Sequence, residues 1–210
     1  MRGAAALDRG ATVIHAMLPE TCERVPIASV PPGLFPGVLG PAFERLPERV
    51  RWLHRGASTR ARGIARVQGD SRWRARVLRR IAGLPSPAGS IALAFEVRAH
   101  ATGEHWLRRF GDRPMRSELA RSLRIADALE ERLGPIRLTF AFEIDESRMH
   151  WTLRELRVLG IALPLRWFCD LRASCGDEQG RYAFDIDVRL PLVGRLIAYS
   201  GWLEPIDDAA

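Results

Sequence analysis

Arg108 lies between two aromatic residues at alternate positions of one short stretch, Trp106 to Phe110. If this stretch is a β-strand, the three side chains share a face, because alternate residues of a strand point the same way. A guanidinium held among aromatic rings needs a carboxylate, a ligand anion or a ring face as its partner. Under the hypothesis that the protein binds a ligand, Arg108 contacts the acidic head group of that ligand. Alternatively, the stretch is an edge strand and Arg108 reaches solvent.

Three further aromatic residues could line a cavity. Tyr199 and Trp202 lie near the last predicted turn, and each combines an apolar body with a polar tip. Trp73 belongs to a predicted helix and could close a pocket from there. Alternatively, all three are core residues. The candidate ligand-binding residues are therefore Trp73, Trp106, Arg108, Phe110, Tyr199 and Trp202.

The sequence motifs of catalysis and metal binding are absent. The five histidines form no HxH, no HExxH and no Cys/His pair at ligand spacing. The chain also has no GxSxG or SxxK motif and no lysine, which excludes a Schiff-base mechanism. We predict no catalytic residue, no metal site and no cofactor. A cofactor-free enzyme stays a third hypothesis without a recognisable group of residues.

The composition is that of a folded, basic protein. Hydrophobic residues make up 47% of the 210 residues, which is enough for a sizeable core. The formal net charge is +7, and all 32 basic residues are arginine. Because asparagine is absent together with lysine, the arginine excess indicates the codon usage of a G- and C-rich genome. We therefore expect no nucleic-acid partner.

The cysteines and the N-terminal sequence indicate where in the cell the protein is located. Three cysteines form an odd, sparse set, which argues against a disulfide framework. We expect Cys169 and Cys175 to be core thiols. The N-terminal residues lack the apolar core of a signal peptide, and no stretch is long enough for a membrane span. A cytoplasmic location is therefore expected.

The closing stretch, Arg181 to Pro205, is typical of a β-hairpin. Apolar residues occupy every second position from Tyr182 to Leu190, and a proline and a glycine then favour a turn. A second strand, Arg195 to Leu203, returns beside the first. The same alternation recurs over most of the chain after Ser90, which gives about nine strands in an antiparallel meander. The stretch from 125 to 133 is either a helical turn or a further strand.

The first predicted strand, 58–67, has only small residues on its inner face, so something large must fill the space opposite. A predicted helix over 70–82 follows. Its apolar stripe consists of Trp73, Val77, Leu78 and Ile81. We predict that this helix is a plug or a lid. Residues 30–41 are dense in proline and glycine and predict an irregular lead-in to a short helix that ends at Gly56.

These elements predict an α+β domain that is mainly antiparallel β. About nine strands form a curled sheet or barrel, with one helix packed on its concave side. The predicted domain spans 31–205. A mobile tail is expected over 1–30 and a short C-terminal tail over 206–210.

Four stretches resemble one protein family: LPERVRWLH at 46–54, GEHWLRRFG at 103–111, the helical RWRARVLRRIAGLP, and the ending RYAFDIDVRLPLVGRLIAYSGWLEP. Together they resemble the bacterial family filed as domain of unknown function 4166. The family has no established activity, so the resemblance supplies no catalytic residues. Some relatives carry this domain behind a dinucleotide-binding oxidoreductase-like domain, which implies an accessory or substrate-holding role. The present chain has no GxGxxG motif, so that cofactor is not expected here.

Two functional hypotheses follow. In the first, the protein is not an enzyme, and its curled sheet holds an apolar or amphipathic small molecule. In the second, it is an accessory module that docks onto a separate oxidoreductase-type partner. The second hypothesis predicts an exposed apolar patch with the arginine-rich helix at its rim.

Overall fold

Eleven antiparallel strands form one sheet in the computed structural model, which describes residues 33–145, 147–168 and 170–206. The strands are β1 Thr59–Gln68, β2 Gly89–His100, β3 Gly103–Phe110, β4 Arg113–Arg121, β5 Leu129–Leu133, β6 Ile136–Asp145, β7 Arg148–Val158, β8 Ile161–Leu163, β9 Asp170–Glu178, β10 Arg181–Leu190 and β11 Gly194–Pro205. The helices are α1 Leu34–Leu39, a 3₁₀ helix Gly40–Arg45, α2 Glu48–His54, α3 Trp73–Ile81 and α4 Leu165–Phe168.

The sheet closes into a barrel. Neighbouring strands pair in chain order, β7 pairs with both β6 and β9, and β1 pairs with β11. Ten strands form the barrel, and the short β8 is an extra strand on the second half of β7. The predicted fold class is confirmed. The strand count exceeds nine because the stretch 125–133 contains β5, and because the short β8 adds a further strand beside β7.

The seam between the first and the last strand depends on glycine. Gly63 lies opposite Leu203, and Gly201 lies opposite Ala65. A Cβ atom at Gly63 would collide with the carbonyl oxygen of Trp202, and one at Gly201 with that of Ile64. Glycine in a strand permits such close backbone approach and the sharp bends of a barrel. The two glycines therefore allow β1 and β11 to close the barrel.

The helices before β1 close one end of the barrel. Helix α1 contacts β4, and α2 contacts β9 and β10. The side chains of Phe35, Val50, Leu53 and His54 are completely or almost completely buried there. The irregular lead-in predicted over 30–41 is therefore wrong for its described part, because α1 and the 3₁₀ helix occupy it.

Helix α3 lies at the opposite end, beside β11. The registers define the two ends. Ala61 pairs with Pro205 near the closed end, and Gln68 pairs with Ala198 towards the other end, from which the chain enters α3. Of the two predicted roles, plug and lid, α3 has the position of a lid, since the plug is formed by the helices before β1.

The predicted N-terminal tail over 1–30 lies outside the described residues, as does most of the predicted tail over 206–210 and the thiol of Cys169. Cys175 is buried and carries a free thiol, as expected of a core cysteine. No helix in the described part of the chain is long and apolar enough to cross a lipid bilayer.

Candidate ligand-binding cavity

A cavity of about 640 Å³ lies inside the barrel. Its walls come from alternate residues of the strands, because one residue in two of each strand points inward. The inner faces of β6, β9 and β10 are typical, since they present apolar side chains to the space. Examples are Leu138, Phe140, Leu171, Ile186 and Val188. The alternation in the sequence therefore produces an almost continuous apolar wall.

The floor of the cavity is a cluster of aromatic rings between the barrel and the plug. The ring of Phe35, from α1, lies 4.2 Å from that of His54 and 5.5 Å from that of Trp151, measured between centroids. Trp106 stacks on Phe35 at 6.0 Å and meets Trp151 edge to face at 5.9 Å. Such pairs add to the stability gained from burial alone. The floor is therefore a surface of closely packed aromatic rings.

Arg108 and Glu131 form a buried ion pair in the cavity wall. Both terminal nitrogens of Arg108 donate to Oε1 of Glu131 at 3.2 Å, and Nη1 also donates to the hydroxyl of Ser117 at 3.2 Å. The guanidinium lies 4.8 Å from the ring centroid of Trp106. Arg108 thus has a carboxylate and a ring face as partners, two of the three kinds that its position predicts.

Two tyrosines extend this polar region. Burial raises the pKa of Tyr199, against the opposing effect of the Arg108 charge. Burial also raises the pKa of Tyr182, and the nearby Cys175 adds to the rise. Burial lowers the pKa of Arg108, but Glu131 and the two tyrosines outweigh it and raise that pKa overall. The site therefore consists of a charged pair beside neutral hydroxyls that can donate or accept hydrogen bonds.

His54, Tyr182 and Cys175 meet at the floor of the cavity. Nε2 of His54 and the hydroxyl of Tyr182 share a hydrogen bond of 3.1 Å, and Sγ of Cys175 lies 3.9 Å from the same nitrogen. Burial lowers the pKa of His54 to about 3 and raises that of Cys175 to about 11. The imidazole and the thiol are therefore both neutral near pH 7. A nucleophilic cysteine needs the thiolate, so this arrangement is not an activated nucleophile.

Glu104 is a second buried acid near the plug. One carboxylate oxygen accepts a 2.8 Å hydrogen bond from the indole nitrogen of Trp106, and the other has no partner among the described residues. Burial raises the pKa of Glu104. In the described ranges, no group of three or more histidine, cysteine or acidic side chains is placed to hold a metal ion.

Four of the six predicted site residues line the cavity: Trp106, Arg108, Phe110 and Tyr199. The other two do not. Trp202 lies on the outer face of β11, where the guanidinium of Arg181 is 4.2 Å from its ring centroid. Trp73 lies on the exposed side of α3. Trp202 is three residues from Tyr199, and residues at an odd spacing in one strand face opposite sides.

Sequence reasoning missed the partners of the predicted residues. Glu131 lies in the stretch 125–133, whose sequence is compatible with a helical turn or a strand, so the pattern does not assign its side chain to a face. His54 is the last residue of a helix that was recognised only as short. Tyr182, however, lies on the apolar face of its predicted strand, and the alternation alone could have assigned it to the cavity.

The far end of the cavity is open. Leu78 and Ile81 of α3 and Leu192 of the turn between β10 and β11 line it there. Ile81 and Leu192 are nonetheless mostly exposed to solvent. The cavity therefore has a mouth at the end opposite the plug.

No curated protein is detectably similar to this chain. The model of one protein family matches residues 46–203, a span that includes α2, α3 and nearly the whole barrel. The match contains all six predicted site residues and the ion pair of Arg108 with Glu131. The chain therefore belongs to the family described as Domain of unknown function (DUF4166).

Proposed function

We propose that this protein is a non-enzymatic binding protein that holds a largely apolar small molecule inside its barrel. The cavity supports this proposal most strongly. Its volume of about 640 Å³ lies within the range of known ligand pockets, roughly 300–1,000 Å³. Its walls are apolar, and a few polar groups converge around Arg108 and Glu131. Such a site buries an apolar body and orients one polar group.

The polar end of the ligand is neutral in this proposal. Arg108 alone favours an acidic head group, but Glu131 already balances its charge at 3.2 Å. A ligand carboxylate would meet the negative charge of Glu131 in a buried site, where like charges repel strongly. A hydroxyl or carbonyl group can instead hydrogen-bond to the tyrosine hydroxyls or the guanidinium. The best-supported ligand class is therefore an apolar chain or ring system with a neutral polar end.

The neutral state of His54 and Cys175 supports a binding role over catalysis. A cysteine nucleophile is normally paired with a base that lowers its pKa. Here burial raises the pKa of the thiol to about 11 and keeps the imidazole neutral. We therefore assign these two side chains a structural role in the floor of the cavity.

A cavity-filling substitution tests the proposal. Ala173 lines the cavity, and Ala94 is exposed on the outer face of β2. We expect Ala173→Phe to abolish binding of hexadecanol, measured by native mass spectrometry, because the phenyl ring occupies the ligand's space. The matched control, Ala94→Phe, adds the same ring outside the barrel and leaves binding unchanged.

The same experiment tests the head group. Palmitate and hexadecanol have chains of equal length, and only palmitate carries a charge. The proposal expects tighter binding of hexadecanol by about tenfold or more, the scale of a single unfavourable buried interaction. Equal binding of both by the wild type would contradict the neutral head group. The binding function itself would be contradicted if the wild type bound neither compound and also carried no ligand through purification.

The second candidate is an accessory module that docks onto an oxidoreductase-type partner in a bacterial cytoplasm. The exposed apolar residues at the mouth favour it, because exposed apolar patches often mark interaction sites. Pull-down from an extract of the source cell, followed by mass spectrometry, tests it. Recovery of one oxidoreductase with the wild type, but not with a Trp73→Ser variant, is the expected result.

A further inference from the structure

Helix α3 exposes its apolar side and buries an arginine. Trp73, Val77 and Ile81 recur at every fourth residue and form one stripe, with exposed fractions of 62%, 46% and 61%. The buried residues of the helix are Ala75 and Arg79. Leu78, the fourth residue of the predicted stripe, is half-buried and lines the cavity. The helix thus exposes three of its four large apolar residues, whereas the apolar stripe of an ordinary surface helix faces the core.

The buried arginine fixes this orientation. Nη1 of Arg79 donates to the carbonyl oxygen of Leu196 at 2.9 Å, and Nη2 donates to that of Asp70 at 2.9 Å. These hydrogen bonds attach the inner side of α3 to β11 and to the chain before the helix. The fold therefore holds the apolar stripe outward.

Other exposed apolar residues lie at the same end of the barrel. Leu192, in the turn between β10 and β11, is 85% exposed. Leu159 and Ile161, at the turn between β7 and β8, are also mostly exposed. The stripe on α3 and these three turn residues form what we call the mouth rim. Two of its residues, Ile81 and Leu192, line the cavity, so the mouth rim lies at the open end.

The mouth rim is also basic. Between Asp70 and Glu96 the chain contains arginines but no acidic residue. On α3, Arg74, Arg76 and Arg80 are exposed beside the apolar stripe. Within the described ranges, no carboxylate forms an ion pair with Arg76 or Arg80. Arg76 and Arg80 therefore face solvent in a position to meet an external negative charge, and the guanidinium of Arg74 lies 5.6 Å from the ring centroid of Trp73.

We propose that the mouth rim docks onto the surface of an anionic phospholipid bilayer. Amphipathic helices bind such surfaces with tryptophan and aliphatic residues in the interface and basic residues against the head groups. Tryptophan is enriched at this level of the membrane. Docking places the cavity mouth against the bilayer. Given the proposed binding function, on which this part rests, an apolar ligand then passes between bilayer and barrel without crossing water.

Vesicle co-sedimentation of the full chain tests the docking. The probes are phosphatidylcholine vesicles with and without an equal share of phosphatidylglycerol. We expect wild-type protein to sediment with the anionic vesicles, and to do so less at high salt, because salt screens the arginines. The variant Trp73→Ser/Val77→Ser is expected to lose binding by about tenfold or more, since it removes most of the apolar stripe and leaves the cavity-lining Ile81 in place.

Two matched controls accompany that variant. Leu123 is fully exposed in the loop between β4 and β5, at the closed end, so Leu123→Ser should bind like the wild type. Arg76→Glu/Arg80→Glu should bind anionic vesicles more weakly. Arg62→Glu, on the exposed side wall of β1, should have a much smaller effect.

The outcomes are distinct. Wild-type protein that stays in solution with both vesicle types, or a stripe variant that binds as well as wild type, overturns the docking proposal. Self-association or protein capture through the rim without vesicle binding also overturns it and leaves the rim as a protein interface. Native mass spectrometry on the same samples shows whether the cavity still binds hexadecanol. Loss of docking with binding retained separates the two proposals.

Discussion

The helices at the two ends of the barrel turn opposite kinds of side chain towards the interior. At the closed end, α1 and α2 put their aromatic and aliphatic side chains inside, together with the ionisable His54. At the open end, α3 puts an arginine inside and its tryptophan outside. Strand pairing closes the wall of a barrel but neither of its ends, so each end depends on helices outside the sheet. The helices of one end serve the core, whereas the helix of the other leaves the interior accessible.

The largest expected difference is in the free energy of unfolding, when an aromatic residue is removed from one end or from the other. Phe35→Ala should destabilise the fold by about 3–5 kcal/mol, because it removes a completely buried ring from the floor. Trp73→Ala should cost about 0.5 kcal/mol or less, because that ring lies on the surface. Urea unfolding followed by far-UV circular dichroism measures both. Equal losses would show that α3 is part of the core and would remove the contrast between the ends.

The next largest difference in unfolding free energy is expected between variants of two ion pairs. Glu131→Gln leaves the buried charge of Arg108 without its carboxylate and should cost about 3 kcal/mol. Asp187→Asn weakens the half-exposed pair with Arg195 on the outer face and should cost about 1 kcal/mol or less. The free energies of unfolding at pH 7 test the difference. A Glu131→Gln cost as small as that of Asp187→Asn would mean that water reaches Arg108.

A smaller effect concerns pH. Burial lowers the pKa of His54 from 6.5 to about 3, so the folded protein holds this imidazole neutral. The stability it contributes is present above pH 6.5 and is lost as the pH falls towards 3, because the unfolded state takes up the proton first. Between pH 6.5 and 5 the expected loss is about 2 kcal/mol, at about 1.4 kcal/mol per pH unit.

Substitution isolates this contribution. His54→Gln should flatten the decline in unfolding free energy over that pH window, whatever its effect at pH 7. The exposed His105 provides the control, and His105→Gln should leave the decline unchanged. If both variants decline as steeply as wild type, other groups cause the acid sensitivity and His54 is not isolated from solvent.

The sequence predicts the wall of the barrel well and its ends poorly. Alternation places Trp106, Arg108 and Phe110 on one inner face, because the period of a strand leaves each side chain only two directions. The periodicity of α3 likewise shows an apolar stripe. Its direction depends on Arg79 bonding to the carbonyl oxygen of Leu196, 117 residues away, and no local pattern reports such a contact.

The floor was missed for a related reason. Proline and glycine around α1 favour irregular structure, yet Pro41 suits the first turn of the 3₁₀ helix, where its missing N–H is not needed. Short helices of this kind have little stability of their own. Tertiary contacts of Phe35 with Trp106 and Trp151 hold them, and the sequence before β1 contains no periodic trace of those contacts.

The glycine seam also constrains how the protein is made. Because β1 pairs with β11, the partner strand of Ala61 is complete only when Pro205 has been synthesised. A nascent chain on the ribosome therefore carries an unpaired edge on β1 until almost the whole domain has been synthesised. Contacts so distant in sequence slow folding, and exposed strand edges promote aggregation. Biosynthesis of this barrel should accordingly depend on protection of that first edge, and chains that terminate before β11 should be insoluble.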